Sequence, residues 1–298
     1  MPVKPSRLPP ARLAPLAGAY AAVQRNRRQR LLLALGVLTA LTFLSAWVAQ
    51  VDLPRLLTHI SRFFGYFDRL LTLEGGDAAG QRVWTDPGEW FWGLHRWLPL
   101  LADTVLMAAV GTLLGTAAGA ALGFASAGNM VRNPWLRHAA KRLLEFCRTV
   151  PEIVFALIFV LAFGLGPFPG VLAIAVHSLG GLGKQFSEAV ENIDMKPVEG
   201  AIAAGAAWPA MVCFGALPQV LPSLASYALL RFEINVRGAS VLGFVGAGGI
   251  GQDLLEAIRK FHYSDVSALL VLIIATVVVI DLLTGRLRAR LAGMERAA

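Results

Sequence analysis

The polar chemistry of this chain of 298 residues gathers in two stretches. The first, residues 199–218, reads EGAIAAGAAWPAMVCFGALP: Gly205 stands six positions after Glu199, and Leu217-Pro218 closes the run thirteen residues beyond Gly205. Ala201, Ala203, Ala204, Ala206 and Ala207 are strong helix formers, and Glu199 near a helix start is favoured by the macrodipole. Gly205 costs such a helix about 1 kcal/mol, which is offset if a second surface comes close there. Trp208-Pro209 ends the regular turn, because proline disfavours a helical residue before it. That pattern predicts a short helix approached by a second surface at Gly205; the plain alternative is an Ala-rich surface or bundle helix. The second stretch, residues 231–237, reads RFEINVR. Glu233 and Arg237 are four apart and can pair on one helix face, which leaves Arg231 the freer cation. A guanidinium matches the oxygens of an oxyanion bidentately; in a purely structural role the same residues would anchor a helix against its neighbours.

Other motifs promise less. Arg148 and Glu152 are four apart and read as a structural ion pair. The run Gly246-Ala247-Gly248-Gly249-Ile250-Gly251 fits the letter of a dinucleotide fingerprint, whose mechanism requires a preceding strand and a βαβ unit. It follows a membrane helix instead, so its glycines are expected to allow a sharp bend or close packing. Gly183-Lys184 is followed by Gln185 and preceded, five positions back, by Ser178, so there is no Walker motif. Cys147 and Cys213 form no metal spacing, and no disulfide is expected between them. Five scattered histidines complete no catalytic or metal constellation. His177 reads as a hydrogen-bonded interior residue, and Lys184 as a side chain that snorkels to the interface.

The elements that position these residues are membrane helices. The chain is 56% hydrophobic and 15% charged, and residues 104–131 and 153–183 contain no Asp, Glu, Lys or Arg. About 20 apolar helical residues cross a bilayer core. Spans are predicted at 31–48, 98–127, 142–165, 171–187, 219–237 and 265–285. A tight turn is expected at 164–170, and a Gly-rich outer segment at 238–252. Gly111, Gly115, Gly119 and Gly123 repeat every four residues, which makes one smooth face for close helix packing. Residues 53–73 read as an amphipathic helix on the outer surface, and Trp84, Trp90, Trp92 and Trp97 mark re-entry at an interface. The net charge of +8 lies mostly beside short loops: Arg25, Arg27, Arg28 and Arg30 before the first span, and Arg286, Arg288 and Arg290 after the last. Such placement orients those loops to the cytoplasm and leaves little basic surface for nucleic acid.

The Glu199…Gly205…Leu217-Pro218 frame resembles the coupling loop of ABC importer permeases, with Gly200 and Gly215 departing from the usual residues. Arg148-Thr149-Val150-Pro151-Glu152, the RFEINVR run and Val241-Leu242-Gly243-Phe244-Val245-Gly246-Ala247-Gly248-Gly249-Ile250-Gly251 narrow the resemblance to permease subunits of phosphonate importers, over roughly residues 98–290. It implies an all-α polytopic membrane protein of about six transmembrane helices with the type I ABC importer permease fold. Residues 1–30 would be a basic cytoplasmic N-terminus and 31–97 the first span with an outer segment. Residues 98–290 would be the permease core with its coupling loop at 188–218, and 291–298 a cytoplasmic tail. Glu199, Ala201, Gly205, Leu217 and Pro218 would couple to an ATPase; Arg231, Glu233, Asn235, Arg237, Gly246, Gly248 and Gly251 would line a path or gate. The chain itself would bind no cofactor and catalyse nothing, ATP and Mg residing on a separate ATPase subunit. Its partners would be a second permease copy, two ATPase subunits, a periplasmic or surface phosphonate-binding protein and membrane lipid, in a bacterial inner membrane with both termini cytoplasmic. Phosphate, phosphite or another small solute is the alternative cargo. An ATP-independent transporter or channel would need inverted repeats with broken, ion-coordinating helices, which the sequence does not offer.

Overall fold

The computed structural model describes residues 10–295. Its helices are α1 (Pro10–Val48), α2 (Leu53–Leu70), α3 (Pro87–Trp90), α4 (Leu94–Ser126), α5 (Pro134–Thr149), α6 (Glu152–Phe163), α7 (Pro167–Glu191), α8 (Lys196–Ala203), α9 (Trp208–Ala210), α10 (Leu217–Leu242), α11 (Ile250–Arg259) and α12 (Tyr263–Glu295). No β-ladder occurs among the described residues beyond one isolated bridge, Thr72 to Arg82. The chain divides into two compact units, residues 1–65 and 66–298. In the first, Gly18–Val48 is long enough and, beyond its basic start, apolar enough to cross a bilayer; α2, which begins there, segregates apolar and basic faces.

In the second unit, Leu94–Ser126, Trp208–Val245 and Tyr263–Leu291 are each long and apolar enough to span, and α5 with α6 makes a further candidate bent by 89°. The expected single helix over 142–165 is therefore two. Pro151 explains the break: Val150 before it is extended, with ψ at 125°, as the proline ring demands of its predecessor. His177 meets the broken end, its Nδ1 donating to the Val150 carbonyl at 3.1 Å, as an interior histidine should. The bend also separates Arg148 from Glu152, and the ion pair expected between them does not form.

Helices α4 and α7 form the centre of the unit, and the glycine ladder is their seam. A Cβ on Gly111 would strike Ile174, one on Gly115 Ser178, one on Gly119 the backbone of Gly183, and one on Gly123 Phe186, all within 3.1 Å. Small residues let helix backbones approach where lipid gives no hydrophobic drive. Because α7 is enclosed by α4, α5, α6 and α10, it tolerates His177 in its interior, while Lys184 and Gln185 lie exposed toward its C-terminal end.

Apolar burial falls in layers along this bundle. At one end Phe124, Leu182, Phe186, Val190, Val198, Met211 and Val220 pack together. A middle layer holds Met107, Phe155, Ile174, Val236 and Leu242. At the other end Leu70, Trp97, Ile250, Leu254, Val266 and Leu269 pack beneath residues 71–93, which form a cap around Leu73, Ala78 and Val83. The tryptophans of that segment knit the cap to α12: Trp90 Nε1 donates to Ser267 Oγ at 3.0 Å and Trp92 Nε1 to Asp265 Oδ1 at 2.9 Å.

Candidate functional site

The docking segment is shorter than its alanine run suggests. Helix α8 stops at Ala203, and Gly205 sits beyond it with φ of +81°. The Ala206 N–H bonds to the Ala201 carbonyl at 3.0 Å and the Gly205 N–H to the Ile202 carbonyl at 2.9 Å. That is the Schellman pattern, which calls for glycine in the left-handed region. Gly205 thus terminates the helix rather than weakening its interior, and a Cβ there would meet nothing within 4 Å.

Beyond Trp208 the backbone widens into a π-helical turn, Met211–Ala216, whose last carbonyl link runs from the Leu217 N–H to Val212 five residues back. Pro218 requires this. A proline ring collides with the carbonyl four residues earlier, here Phe214, and supplies no N–H to it. The wider turn relieves the collision, and the Leu-Pro pair becomes a geometric signal. Leu217 is half-buried against the core and Pro218 is exposed.

Helix α8 is clamped onto that turn from below. Val198 is fully buried, with its Cα 3.1 Å from where a Cβ of Gly215 would stand. The departure at Gly215 is thus a fitted contact. Gln219 adds a second clamp: its Nε2 donates to the Gly215 and Asp194 carbonyls at 2.7 and 3.1 Å, and its Oε1 accepts from the Asp194 N–H at 3.1 Å. Asp194 Oδ1 then accepts from the Lys196 N–H at 3.0 Å, where α8 begins. Trp208 Nε1 reaches the Met130 carbonyl at 3.1 Å. Above these anchors Glu199, Ile202, Ala203, Ala204, Gly205 and Trp208 are exposed, and no cation among the described residues lies within ion-pair distance of Glu199. The result is a rigid ledge with unpartnered side chains.

The second stretch splits between two faces of α10. Glu233, 5% exposed, takes Arg237 on its own helix and Arg288 of α12 at 3.0 Å. Breaking a buried pair by deleting one partner is costly, so this trio fastens α10 to α12. On the other face Asn235 is fully buried; its Nδ2 donates to Thr112 Oγ1 of α4 and Ser178 Oγ of α7, each at 2.8 Å. Arg231, partly exposed, donates from Nε to the same Ser178 oxygen at 3.1 Å. Arg288, Thr112 and Ser178 were not singled out in the sequence, since pairings across 55 to 123 positions leave no local periodicity.

The remaining glycines weld a joint. Helix α10 runs on to Leu242, into the first residues of the 238–252 segment expected to lie outside it, and Gly246, Gly248 and Gly249 turn the chain with positive φ. Gly246 accepts the Gly166 N–H at 3.0 Å. A Cβ on Gly246 would strike Leu165, one on Gly248 Pro167, and one on Gly251 the Ser240 carbonyl. The fingerprint reading fails in three dimensions, because no strand precedes these glycines. Among the described residues no group of three His, Cys, Asp or Glu is arranged to hold a metal.

Residues 119–293 match the family model described as "Binding-protein-dependent transport system inner membrane component". Over 230 residues the chain is 41% identical to the phosphite transport system permease protein PtxC of Stutzerimonas stutzeri, an overlap of 76% of this chain and 82% of that one. It is 54% identical over 118 residues to the putative cryptic phosphonate transport system permease protein PhnE2 of Escherichia coli K12, covering 40% of this chain and 97% of the other. Among solved structures, an inward-facing conformation of the MetNI methionine ABC transporter superposes with a TM-score of 0.57 at 21% identity, over 65% of this chain and 95% of that chain. This last likeness is one of fold.

Proposed function

The chain belongs to the binding-protein-dependent transport system inner membrane component family, and from that premise we propose that it carries phosphonates or the closely related phosphite across the membrane. It is a permease component of the ABC importer class and not an enzyme; ATP hydrolysis in these systems belongs to a separate subunit. A solute-binding protein and an ATPase are its partners by family membership.

The observation that carries the mechanistic reading is the ledge. Its backbone is fixed by Val198, Gly215, Gln219 and Trp208 while its upper face offers Glu199 and Ile202, both exposed. We assign that face to the ATPase, with Glu199, Ala201 and Gly205 at the contact and Leu217-Pro218 as the rigid lever joining it to α10. Two permease copies would enclose the pathway, two ATPase subunits carrying ATP and Mg would sit on the ledges, and lipid would cover α1 and the outward faces of α6 and α12. This puts both termini and the ledge in the cytoplasm of a bacterial inner membrane. On the path side, Arg231 presents its guanidinium; Asn235 and Ser178 hold it from behind. Glu233 and Arg237 brace α10, and Gly246, Gly248 and Gly251 form the joint of the gate.

Phosphorus oxyanions are favoured as cargo by the 41% identity to a phosphite permease together with the partly buried Arg231, whose guanidinium forms no ion pair among the described residues. Phosphate is the second reading within the class. The test is reconstitution with the cognate ATPase and binding protein in liposomes. ATPase stimulation and uptake that require methylphosphonate or phosphite and all three components are the expected result. Stimulation by phosphate alone moves the cargo to the second reading, and failure to associate with any ATPase overturns the proposal.

A further inference from the structure

Arg231 leaves most of its hydrogen-bonding capacity unused, since a guanidinium carries five N–H donors. Its Nε is taken by Ser178, and Gly181 on α7 clears the space beside Nη1, a Cβ there standing 3.4 Å from that nitrogen. Among the described residues nothing accepts from the two Nη groups. The nearest opposite charge is Glu152, in the first turn of α6 just past the Pro151 break. The Glu152 carboxylate lies against α10 at Gly238, about two turns along from Arg231, and no carboxylate oxygen lies within 4.0 Å of the guanidinium, so they form no ion pair. Glu152 is itself incompletely used: Oε1 is buried and accepts no hydrogen bond. Its carboxylate lies over Gly238, whose Cβ would stand 3.5 Å from Oε2. Both side chains are partly exposed.

A carboxylate and a guanidinium that neighbour each other without touching, each with vacant capacity, fit a ligand that offers acceptors to one and a donor to the other. Resting on the oxyanion reading above, we propose that Glu152 and Arg231 form a selectivity subsite for oxyanions that retain one P–O–H. The guanidinium takes two unprotonated oxygens in a fork of charge-assisted bonds of about 2.7–2.9 Å. An ionised carboxylate can only accept, so Glu152 takes the hydroxyl hydrogen of the same ligand. Phosphorus acids hold such a proton near neutrality; phosphate monoesters lose their last one at about pH 6. Sulfate has no proton to give, and there its oxygen would face Glu152 with two like charges and an acceptor against an acceptor. Discrimination by an unpaired buried polar group is stronger than by shape, commonly about 10⁴–10⁵-fold against about 10–200-fold. The buried Oε1 without a partner supplies that penalty here. Selection would then occur in the permease as well as in any binding protein.

The experiment omits the binding protein. The permease–ATPase complex in nanodiscs is titrated into phosphite, with ³¹P line broadening as readout and sulfate as competitor. For the wild type, broadening is expected that equimolar sulfate barely relieves. In Glu152→Gln the amide can donate to a bare oxygen, so sulfate should compete about tenfold better relative to phosphite. Arg231→Gln should lose the broadening, and Arg231→Lys, which keeps charge but not the fork, should weaken it without changing the phosphite-to-sulfate ratio. Wild-type broadening and selectivity in both Glu152→Gln and Arg231→Gln, or no broadening by the wild type, overturns the subsite. If liposomes with all three components still import phosphite in that event, the cargo reading stands alone; if they import no phosphorus oxyanion, that reading falls as well.

Discussion

Short helices stand at both ends of the bundle, and they are held in opposite ways. At the α8 end, the backbone is anchored by Val198, Gln219 and Trp208 while the charged and large apolar side chains above it go unanswered. At the α11 end, the charges answer one another. Arg96 bonds Asp253 through Nε and Nη2, each at 2.9 Å, Lys260 pairs with Glu256, and Glu74 caps α12 through the Tyr263 N–H at 2.9 Å. One end is internally satisfied; the other is a fixed surface on which Glu199 and Ile202 stand exposed, the face proposed above for the ATPase. The difference teaches where substitutions act on an assembly and where they act on the fold.

The largest effect is expected at Glu199. Because its carboxylate makes no hydrogen bond or ion pair among the described residues, Glu199→Lys should leave thermal stability unchanged and lower substrate-stimulated ATPase activity about tenfold or more, a loss of about 1.4 kcal/mol in coupling. Full stimulation in that variant would remove the functional half of the comparison. Gly215→Leu attacks the anchor rather than the face. Its side chain would enter the space of the Val198 backbone, and overpacking of this kind costs about 1–3 kcal/mol. A lower melting temperature together with lost ATPase association is expected; association at the wild-type level would show that α8 is not seated by this contact.

These contrasts also show what the chain discloses in one dimension. The α4 ladder was legible because a four-residue glycine period survives in any projection of a helix, but its partners on α7 were not. Gly205 was visible as a glycine, but propensity counts it as a cost inside a helix; its bond to a Schellman turn needs the knowledge that the helix has already ended. The 89° break at Val150-Pro151 was written in the dipeptide, and the apolar run on its far side concealed it by making 142–165 look like one span. Gln219 under Asp194, Arg288 on Glu233 and Glu74 on Tyr263 were not legible, since each contact joins segments that only the folded bundle brings together. The candidate path residues were found by type, and their division between two faces of α10 was not.

At the satisfied end, effects should be smaller. Asp253→Asn removes one charge from a pair whose arginine is more than half exposed, and such pairs contribute about 0–1 kcal/mol. A slight fall in melting temperature is expected, largest at low salt because screening weakens exposed pairs, with phosphite-stimulated ATPase activity unaltered. Loss of stimulation instead would mean that this end, too, awaits a partner.

The smallest and most local effect concerns Glu74. Burial pushes its carboxyl above the ordinary range, against the opposing pull of the Tyr263 N–H and of His262. A carboxyl whose folded value is raised binds its proton more tightly in the folded cap than in the open one. Its contribution is therefore complete below the unfolded carboxylate value and is lost as pH rises through the raised one. Near neutrality the cap carries a charge that its surroundings disfavour. Glu74→Gln keeps an oxygen for the Tyr263 N–H and removes that charge. Amide exchange over residues 263–269 should accordingly slow in the variant at neutral pH, and the two proteins should converge as pH falls through the carboxylate range. Faster exchange in the variant at neutral pH would show that the full negative charge on Glu74 is what holds the start of α12, and the cap would then owe its closure to electrostatics rather than to its apolar core of Leu73, Ala78 and Val83.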